Sequence, residues 1–288
     1  MSKVKHLFSE SLNIESQSNK EINIRNDQYT HLRFIGDESP VQQKEALRIH
    51  AEGYRTMGFV NDEAIDANGF LDLALDKTRT IPGCEYYIAI NPEKDDDRAT
   101  LRIVRSVEDG KYTTLPAYEA TKGKLFPSGK KLLENLSSNG HTIKEISALA
   151  KTEKASPLSI FELLREIIQD ACNSNDVWFF SIVSRTFDSL VKNMGKSSFI
   201  IIGEDVHIDD SRVNPNIMLK PAIFVPKLFY SNLMKDIETM PNNYSKKRLN
   251  QNLNFYAQGL QNPQLITQIS AFSELNSMEL LLTKEEDI

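Results

Sequence analysis

A mixed α/β fold is predicted for this chain: a twisted mixed sheet flanked by helices, with a helical extension at the C-terminus. Three observations predict it. Apolar runs of strand length, Val177 to Val183 and Phe199 to Ile202, alternate with stretches whose apolar residues recur at helical spacing, as in a layered α/β core. Two strand-like runs, Glu85 to Asn91 and Arg98 to Arg105, flank the polar turn Pro92-Glu93-Lys94-Asp95-Asp96-Asp97 and read as an antiparallel hairpin. From Pro226 onward the pattern is helical and Asn-rich.

Residues 1–28 are rich in Ser, Asn, Lys and Glu with scattered apolar positions, the composition of a flexible lead-in. Tyr29 to Ile35 reads as a strand, and Asp37, Glu38, Ser39 and Pro40 signal a turn and a helix start. The helix runs from Val41 to about Met57 and ends at Gly58-Phe59. Asn61 to Asp76 is an acidic loop with one amphipathic turn, and Pro82-Gly83 breaks the chain before the hairpin. A long polar connection spans Ser106 to Leu125, after which Ser128 is placed as the N-cap of a helix from Gly129 to Leu136.

His141 to Ala150 is the central strand. Ser156-Pro157 supplies a cap and a first-turn proline for a helix whose inner face carries Ile160, Phe161, Leu164, Ile167, Ile168 and Ala171. Val177 to Val183 is apolar enough to be an interior strand covered on both faces. Phe187, Leu190, Val191 and Met194 mark the next helix, Phe199 to Ile202 a strand, and Pro221 to Phe224 a further edge strand. Tyr244 to Leu260 is a helix of the extension. The expected division is a lead-in at 1–28, a main domain at 29–225 and a helical extension at 226–288.

With 288 residues, 40% hydrophobic and 26% charged, the chain has the composition of a soluble globular protein. A net charge of -6 argues against a duplex-DNA binder, so no nucleic-acid partner is expected. Cys84 and Cys172 lie far apart beside apolar residues and read as buried thiols. No apolar run approaches the ~20 residues that span a bilayer, and the N-terminus lacks a signal-peptide core. No stable membrane insertion is expected, and a reducing cytoplasm fits. His31, His50, His141 and His207 are isolated, so neither a metal site nor a Ser-His-Asp triad is expected.

The order of elements from Tyr29 to Phe224, roughly two-thirds of the chain, resembles GNAT-type acyltransferases, in particular the branch of acyl-homoserine-lactone synthases and N-acyl amino acid synthases. Arg48, Tyr54 and Phe59 are similar to that branch's helix with a central Arg and a terminal aromatic. Asp72 and Asp76 resemble its acidic loop, Arg102 in ATLRIV its strand arginine, and Glu145-Ile146-Ser147 its Glu-x-Ser-Arg strand. Two features depart from the pattern. Ala148 stands where the family has arginine, which turns the expected product from a homoserine lactone to an N-acyl amino acid or related amide. The Arg/Gln-x-x-Gly-x-Gly/Ala phosphate loop is also missing from Lys151 to Pro157.

The resemblance implies a GNAT-like acyltransferase fold whose two central strands splay apart. It implies direct transfer of a fatty acyl group from a thioester to an amine, with Glu145 and Ser147 as the catalytic residues: Glu145 as base, and backbone N–H groups near Ser147 to Leu149 polarising the carbonyl. Arg48, Phe59, Asp72, Asp76, Arg102 and Trp178 are the expected substrate contacts. Lys151, Lys154 and Ser156, with free amides at the helix start, would hold a phosphate of the donor. No permanently bound cofactor is implied, since the acyl thioester is a co-substrate. Without a glycine-rich wrap for a pyrophosphate, acyl carrier protein ranks above coenzyme A as donor, meeting Lys122, Lys124, Lys130, Lys131, Lys151 or Lys154. Plainer readings stand beside these. Glu145 is alternatively a surface carboxylate paired with Lys144 or Arg102, Arg102 a structural ion-pair partner, Asp72 and Asp76 a solvated face, and Trp178 a core residue. The rival function is a non-catalytic module of the same fold that binds an acyl carrier or another protein.

Overall fold

The structure is a computed structural model and describes residues 29–73, 81–105, 111–241 and 243–282. In chain order these fold as β1 (Thr30–Ile35), α1 (Pro40–Thr56), β2 (Glu85–Ile90), β3 (Arg98–Val104), α2 (Pro116–Thr121) and α3 (Pro127–Ser138). Then come β4 (Thr142–Lys151), α4 (Leu158–Ala171), β5 (Asp176–Val183), α5 (Ser184–Met194), β6 (Phe199–Ile201), β7 (Val206–His207) and β8 (Met218–Phe224). The helices α6 (Phe229–Thr239), α7 (Asn243–Ala257) and α8 (Pro263–Leu282) follow. The eight strands belong to an open mixed sheet, so the class is mixed α/β, as the sequence predicts.

The chain divides into two compact units. The first takes the described residues of Met1–Val104 with Ser147–Leu164 and Asp209–Asn216. Within it β1, β2 and β3 form an antiparallel meander in the registers Thr30↔Ile90 and Glu85↔Ile103. The second half of β4 follows β3, with the Thr152 N–H donating to Arg98 O at 2.9 Å. Helix α1 buries Ala46, Leu47, Ile49, His50, Ala51 and Gly53. Its last turn meets β4 backbone to backbone: a Cβ on Gly53 would sit 2.7 Å from Lys151 O and 2.9 Å from the Ala150 Cβ. Only a residue without a side chain fits there.

The second unit takes Arg105–Ile146, Arg165–Ile208 and Ile217–Ile288. The first half of β4 pairs in parallel with β5, β5 pairs antiparallel with β8, and β6 and β7 both pair with β8. An aromatic cluster fills the space behind these strands. Trp178 stacks on Phe224 at 5.3 Å, Phe224 meets Phe199 and Phe229, and Phe229 meets Tyr256 edge-on at 5.0 Å. These rings seat α6 and α7. Buried Asp236 on α6 accepts from the N–H of Ser197 at 2.7 Å and its hydroxyl at 2.6 Å, tying the helix to the turn before β6.

Three readings change. The run Pro221 to Phe224 is not an edge: β8 lies between β5 and β6. The proline that suggests an edge removes one ladder donor, yet its carbonyl accepts from the Ile202 N–H at 3.1 Å. The connection expected between Ser106 and Leu125 contains α2, whose buried residues are Ala117 and Thr121. Helix α3 begins at Pro127 after Phe126, so Ser128 lies inside the first turn and is not the cap. The fixed φ of a proline at the first position sets that start.

Gly53→Ala is expected to lower stability by about 1–3 kcal/mol through overpacking, even though alanine gains about 1 kcal/mol in helix propensity. Urea unfolding checks this, and a midpoint equal to or above that of the parent would mean that α1 and β4 separate without penalty.

Candidate functional site

Strand β4 carries the site residues because its ten residues serve two ladders. Its register with β5 runs from Thr142↔Asp176 to Ile146↔Phe180 and, among the described residues, ends there. Beyond that point β5 keeps its pairing with β8 through Val183↔Leu219, and β4 continues as a strand to Lys151. Two residues after the last pair, Ala148 has φ 53°, the one positive φ at a non-glycine residue among those described. A left-handed alanine costs about 1–2 kcal/mol, because Cβ crowds the following carbonyl oxygen. A left-handed residue is one way in which a strand bulges. A small side chain suits it, and Ala148 is 5% exposed.

Glu145 lies on the paired half. It is 4% exposed, and Oε2 accepts the Ala117 N–H at 2.8 Å, in the first turn of α2. A carboxylate at a helix start satisfies an amide that has no partner within the helix and complements the positive end of the helix dipole. The surface reading of Glu145 is therefore corrected, because the side chain is enclosed. Its neighbour Lys144 pairs instead with Asp176.

Ser147 opens the other half of β4, and its Oγ accepts from Arg102 Nε at 3.1 Å. Arg102 is 1% exposed, with its guanidinium carbon 5.9 Å from the Tyr86 ring centroid. Tyr86 in turn stacks on Phe34 at 5.5 Å. The registers Phe34↔Tyr86 and Tyr86↔Arg102 make this one row of side chains across β1, β2, β3 and β4. Sequence reasoning found Arg102 and Ser147 but missed Tyr86, whose only signal is its place opposite Arg102 in the hairpin.

The other expected contacts are dispersed. Arg48 is exposed on α1. Phe59 is buried and meets Tyr54 edge-on at 5.5 Å, and Tyr54 meets His50 in the same way at 4.3 Å. Asp72 is exposed and lies outside any helical turn, with Oδ2 3.5 Å from Arg212 Nη1. Arg212 also donates to Asp210 at 2.8 Å, and that hydrogen bond holds the Asp210 carboxyl down at about 2. Arg212 escaped the sequence reading because 140 residues separate it from Asp72. Asp76 lies outside the described residues. Trp178 is 1% exposed and stacked in the aromatic core.

The residues expected to hold a phosphate are engaged with the protein itself. Lys151 Nζ donates to Ala155 O at 2.6 Å, and burial pushes its ammonium pKa down. Lys154 Nζ lies 2.9 Å from Asp96 Oδ2, which raises its pKa. The amides at the start of α4 are not free, contrary to expectation. Ser156 N–H donates to Asp97 Oδ1 at 3.1 Å, Leu158 N–H to Ser156 Oγ at 3.2 Å, and Ser159 N–H to Ser156 O at 3.1 Å. Of the lysines assigned to a carrier, Lys122 pairs with Glu119 at 2.7 Å and Lys124 with Glu204 at 3.6 Å, while Lys130 and Lys131 are exposed on α3. Cys84 and Cys172 are buried free thiols. Among the described residues no His/Cys/Asp/Glu group could hold a metal ion, and no helix is long and apolar enough to cross a membrane.

No protein-family model and no curated protein matches the chain. Among solved structures it is similar to FeeM, an N-acyl amino acid synthase from uncultured soil microbes, at 18% identity and TM-score 0.48, covering 71% of this chain and 95% of that one. It is also similar to an acyl-CoA N-acyltransferase from Pseudomonas aeruginosa, at 11% identity and TM-score 0.37, covering 68% of this chain and 99% of the other. A third is MesI, a CoA-dependent acyl-homoserine lactone synthase, at 10% identity and TM-score 0.44, covering 78% and 95%. The first and third are the two kinds of enzyme that the sequence resemblance names.

Glu145→Ala is expected to destabilise by about 1–3 kcal/mol, the cost of leaving a buried donor unpaired. Glu145→Gln keeps an acceptor and should recover most of that loss. Denaturant titration of the three proteins separates the cases, and equal stability of the Ala variant and the parent would mean that the contact with α2 holds nothing.

Proposed function

We propose that the chain is an N-acyltransferase of the GNAT-like synthase branch. It moves a fatty acyl group from a thioester, on acyl carrier protein or coenzyme A, to the amine of a small acceptor, an amino acid. The observation that carries this reading is the left-handed backbone of Ala148, two residues past the last β4–β5 pair. A strand released from its neighbour and bulged at that point has peptide N–H groups to offer a carbonyl oxygen that gains negative charge.

The acceptor amine attacks the thioester carbonyl, a C–N bond forms, the C–S bond breaks, and the thiolate leaves and takes up a proton. An α-amino group with a pKa near 8 must first lose its own proton. Glu145 receives it, directly or through one water, a role worth about 10²-fold to 10⁴-fold in rate. The Ala117 N–H fixes the direction of that carboxylate. Ser147 follows Glu145 by two positions on β4 and accepts from Arg102 of β3, whose guanidinium, with Arg48, takes the acceptor's carboxylate. Asp72 belongs to the acidic loop that Arg212 steadies. No covalent enzyme intermediate is required.

A non-catalytic module of the same fold is favoured by one observation: Glu145 is enclosed and already engaged as an acceptor at a helix start. That reading keeps thioester or carrier binding and removes turnover.

Purified protein incubated with acyl thioesters and a pool of amino acids should yield acylated amines by mass spectrometry. Glu145→Gln should lower kcat by about 10²-fold or more with its fold retained. Undiminished turnover in that variant removes Glu145 as the base, and thioester binding without product in the parent supports the non-catalytic module.

A further inference from the structure

We propose that the end of the sheet at β6, with the lysine-rich connection from α2 to α3 beside it, is a docking surface for an anionic lipid layer, which the chain meets at the headgroup boundary without crossing it.

β6 closes the order of the sheet, and among the described residues its one strand partner is β8. Ile200 and Ile201 are neighbours in this strand and point to opposite faces, yet they are 45% and 46% exposed. Ile202 is the next residue and is buried under α3, where a Cβ on Gly129 would sit 2.3 Å from its carbonyl oxygen. That same oxygen accepts the Phe126 N–H at 2.9 Å, which ties Phe126 to the position beside Ile201. The Phe126 ring is 39% exposed. Large apolar side chains are therefore presented to solvent on one short edge, open on both of its faces.

From the end of α2 into α3 the chain reads Lys122-Gly123-Lys124-Leu125-Phe126-Pro127-Ser128-Gly129-Lys130-Lys131, with four lysines, no acidic residue, and every lysine exposed. Lys122 pairs with Glu119 and Lys124 with Glu204, both on the exposed surface, where such pairs are worth little and exchange readily for another anion. Lys130 and Lys131 have no ion-pair partner among the described residues. Exposed Lys196 adds a further charge just ahead of β6. The chain as a whole carries -6, so this cationic stretch departs from its surroundings and favours an anionic partner.

The exposed apolar residues select among anionic partners. A folded acidic protein presents a firm surface to one face of a strand and would leave Ile200 or Ile201 in water. A lipid layer deforms around the edge. Both isoleucines and the Phe126 ring then pass into the boundary of headgroups and acyl chains, and the lysine stems lie along it with their ammonium groups on the phosphates. Each lysine so placed is worth about fivefold in affinity at an anionic surface. Among the described residues no helix is long and apolar enough to cross a membrane, and the contact requires none.

Cosedimentation of the full-length chain with lipid vesicles tests this. Vesicles of equal parts phosphatidylcholine and phosphatidylglycerol should bind at least about tenfold tighter than vesicles of phosphatidylcholine alone, and added salt should weaken that binding. Lys130→Glu with Lys131→Glu should lower the affinity for the anionic vesicles by about tenfold or more. Phe126→Ser with Ile201→Ser should lower it by a similar factor while the salt dependence stays. These side chains are exposed, and circular dichroism of each double variant against the parent verifies its fold. Each double variant decides by itself should the other fail to fold. Equal binding to the two kinds of vesicle overturns the proposal, and vesicle binding retained in full by the variants overturns its assignment to this edge. Binding of an acidic acyl carrier protein with no affinity for anionic vesicles overturns it in favour of a protein partner.

Discussion

One strand serves two neighbours in the sheet. The first five residues of β4 must match the parallel hydrogen-bond spacing of β5, and the last five run beside β3. Parallel and antiparallel ladders space their bonds differently, and two residues past the end of the β5 pairing stands Ala148. The strain of its left-handed backbone is tolerated because its surroundings determine it from both sides: Ile146 is still paired with Phe180, and Ala150 is pressed against Gly53 of α1. The identity of residue 148 follows from the same constraint, since a long or β-branched side chain at positive φ adds its own clash to the strain already present.

Around that point the interior is polar where an interior is normally apolar. Glu145, Arg102 and Asp97 are each at most 4% exposed, and each meets a partner fixed by local sequence: the first amides of α2, the hydroxyl of Ser147, and the turn that opens α4. Two of these partners are helix starts, where an acceptor is owed to the backbone in any case. Burying a carboxylate there offsets its desolvation with a hydrogen bond and a dipole, which an apolar side chain in the same place would leave unsatisfied. Glu145 and Asp97 therefore do the same structural work, one at the start of α2 and one beside the turn that opens α4. Glu145 is three residues from Ala148 on the same strand, and Asp97 sits in the hairpin turn.

The strands and the long helices were legible in the sequence because each has a periodic apolar signal over enough residues to be read. Val177 to Val183 and the stretch from Ile160 to Ala171 carry such signals and fold as the expected strand and helix, although the buried face takes Ser159, Glu162 and Leu163 and leaves Ile160 and Phe161 half-buried. Elements too short to repeat an apolar pattern were not legible. Helix α2 has six residues and β7 two, and neither completes a pattern. The place of β8 was misread for a different reason. A proline argues for an edge, and only the topology shows that its ladder tolerates one missing donor. Glu145 and Ser147 could be named from a match to the first three positions of a four-residue pattern, Glu145-Ile146-Ser147. Their partners Ala117 and Arg102 lie 28 and 45 residues away, and no spacing rule joins them.

The turn between β4 and α4, which has no glycine, also has a structural account. Glycines at a phosphate loop leave amides exposed and let the backbone approach an anion closely. In their absence this chain still begins a helix at the same place, and the amides of that helix still require acceptors. Ser156 supplies one acceptor by folding back on Leu158, and the β2–β3 turn supplies another by presenting Asp97. These hydrogen bonds are thus made on folding. A helix start satisfied from within gains stability in the unliganded protein and gives up affinity for an external anion, because both draw on the same few N–H groups.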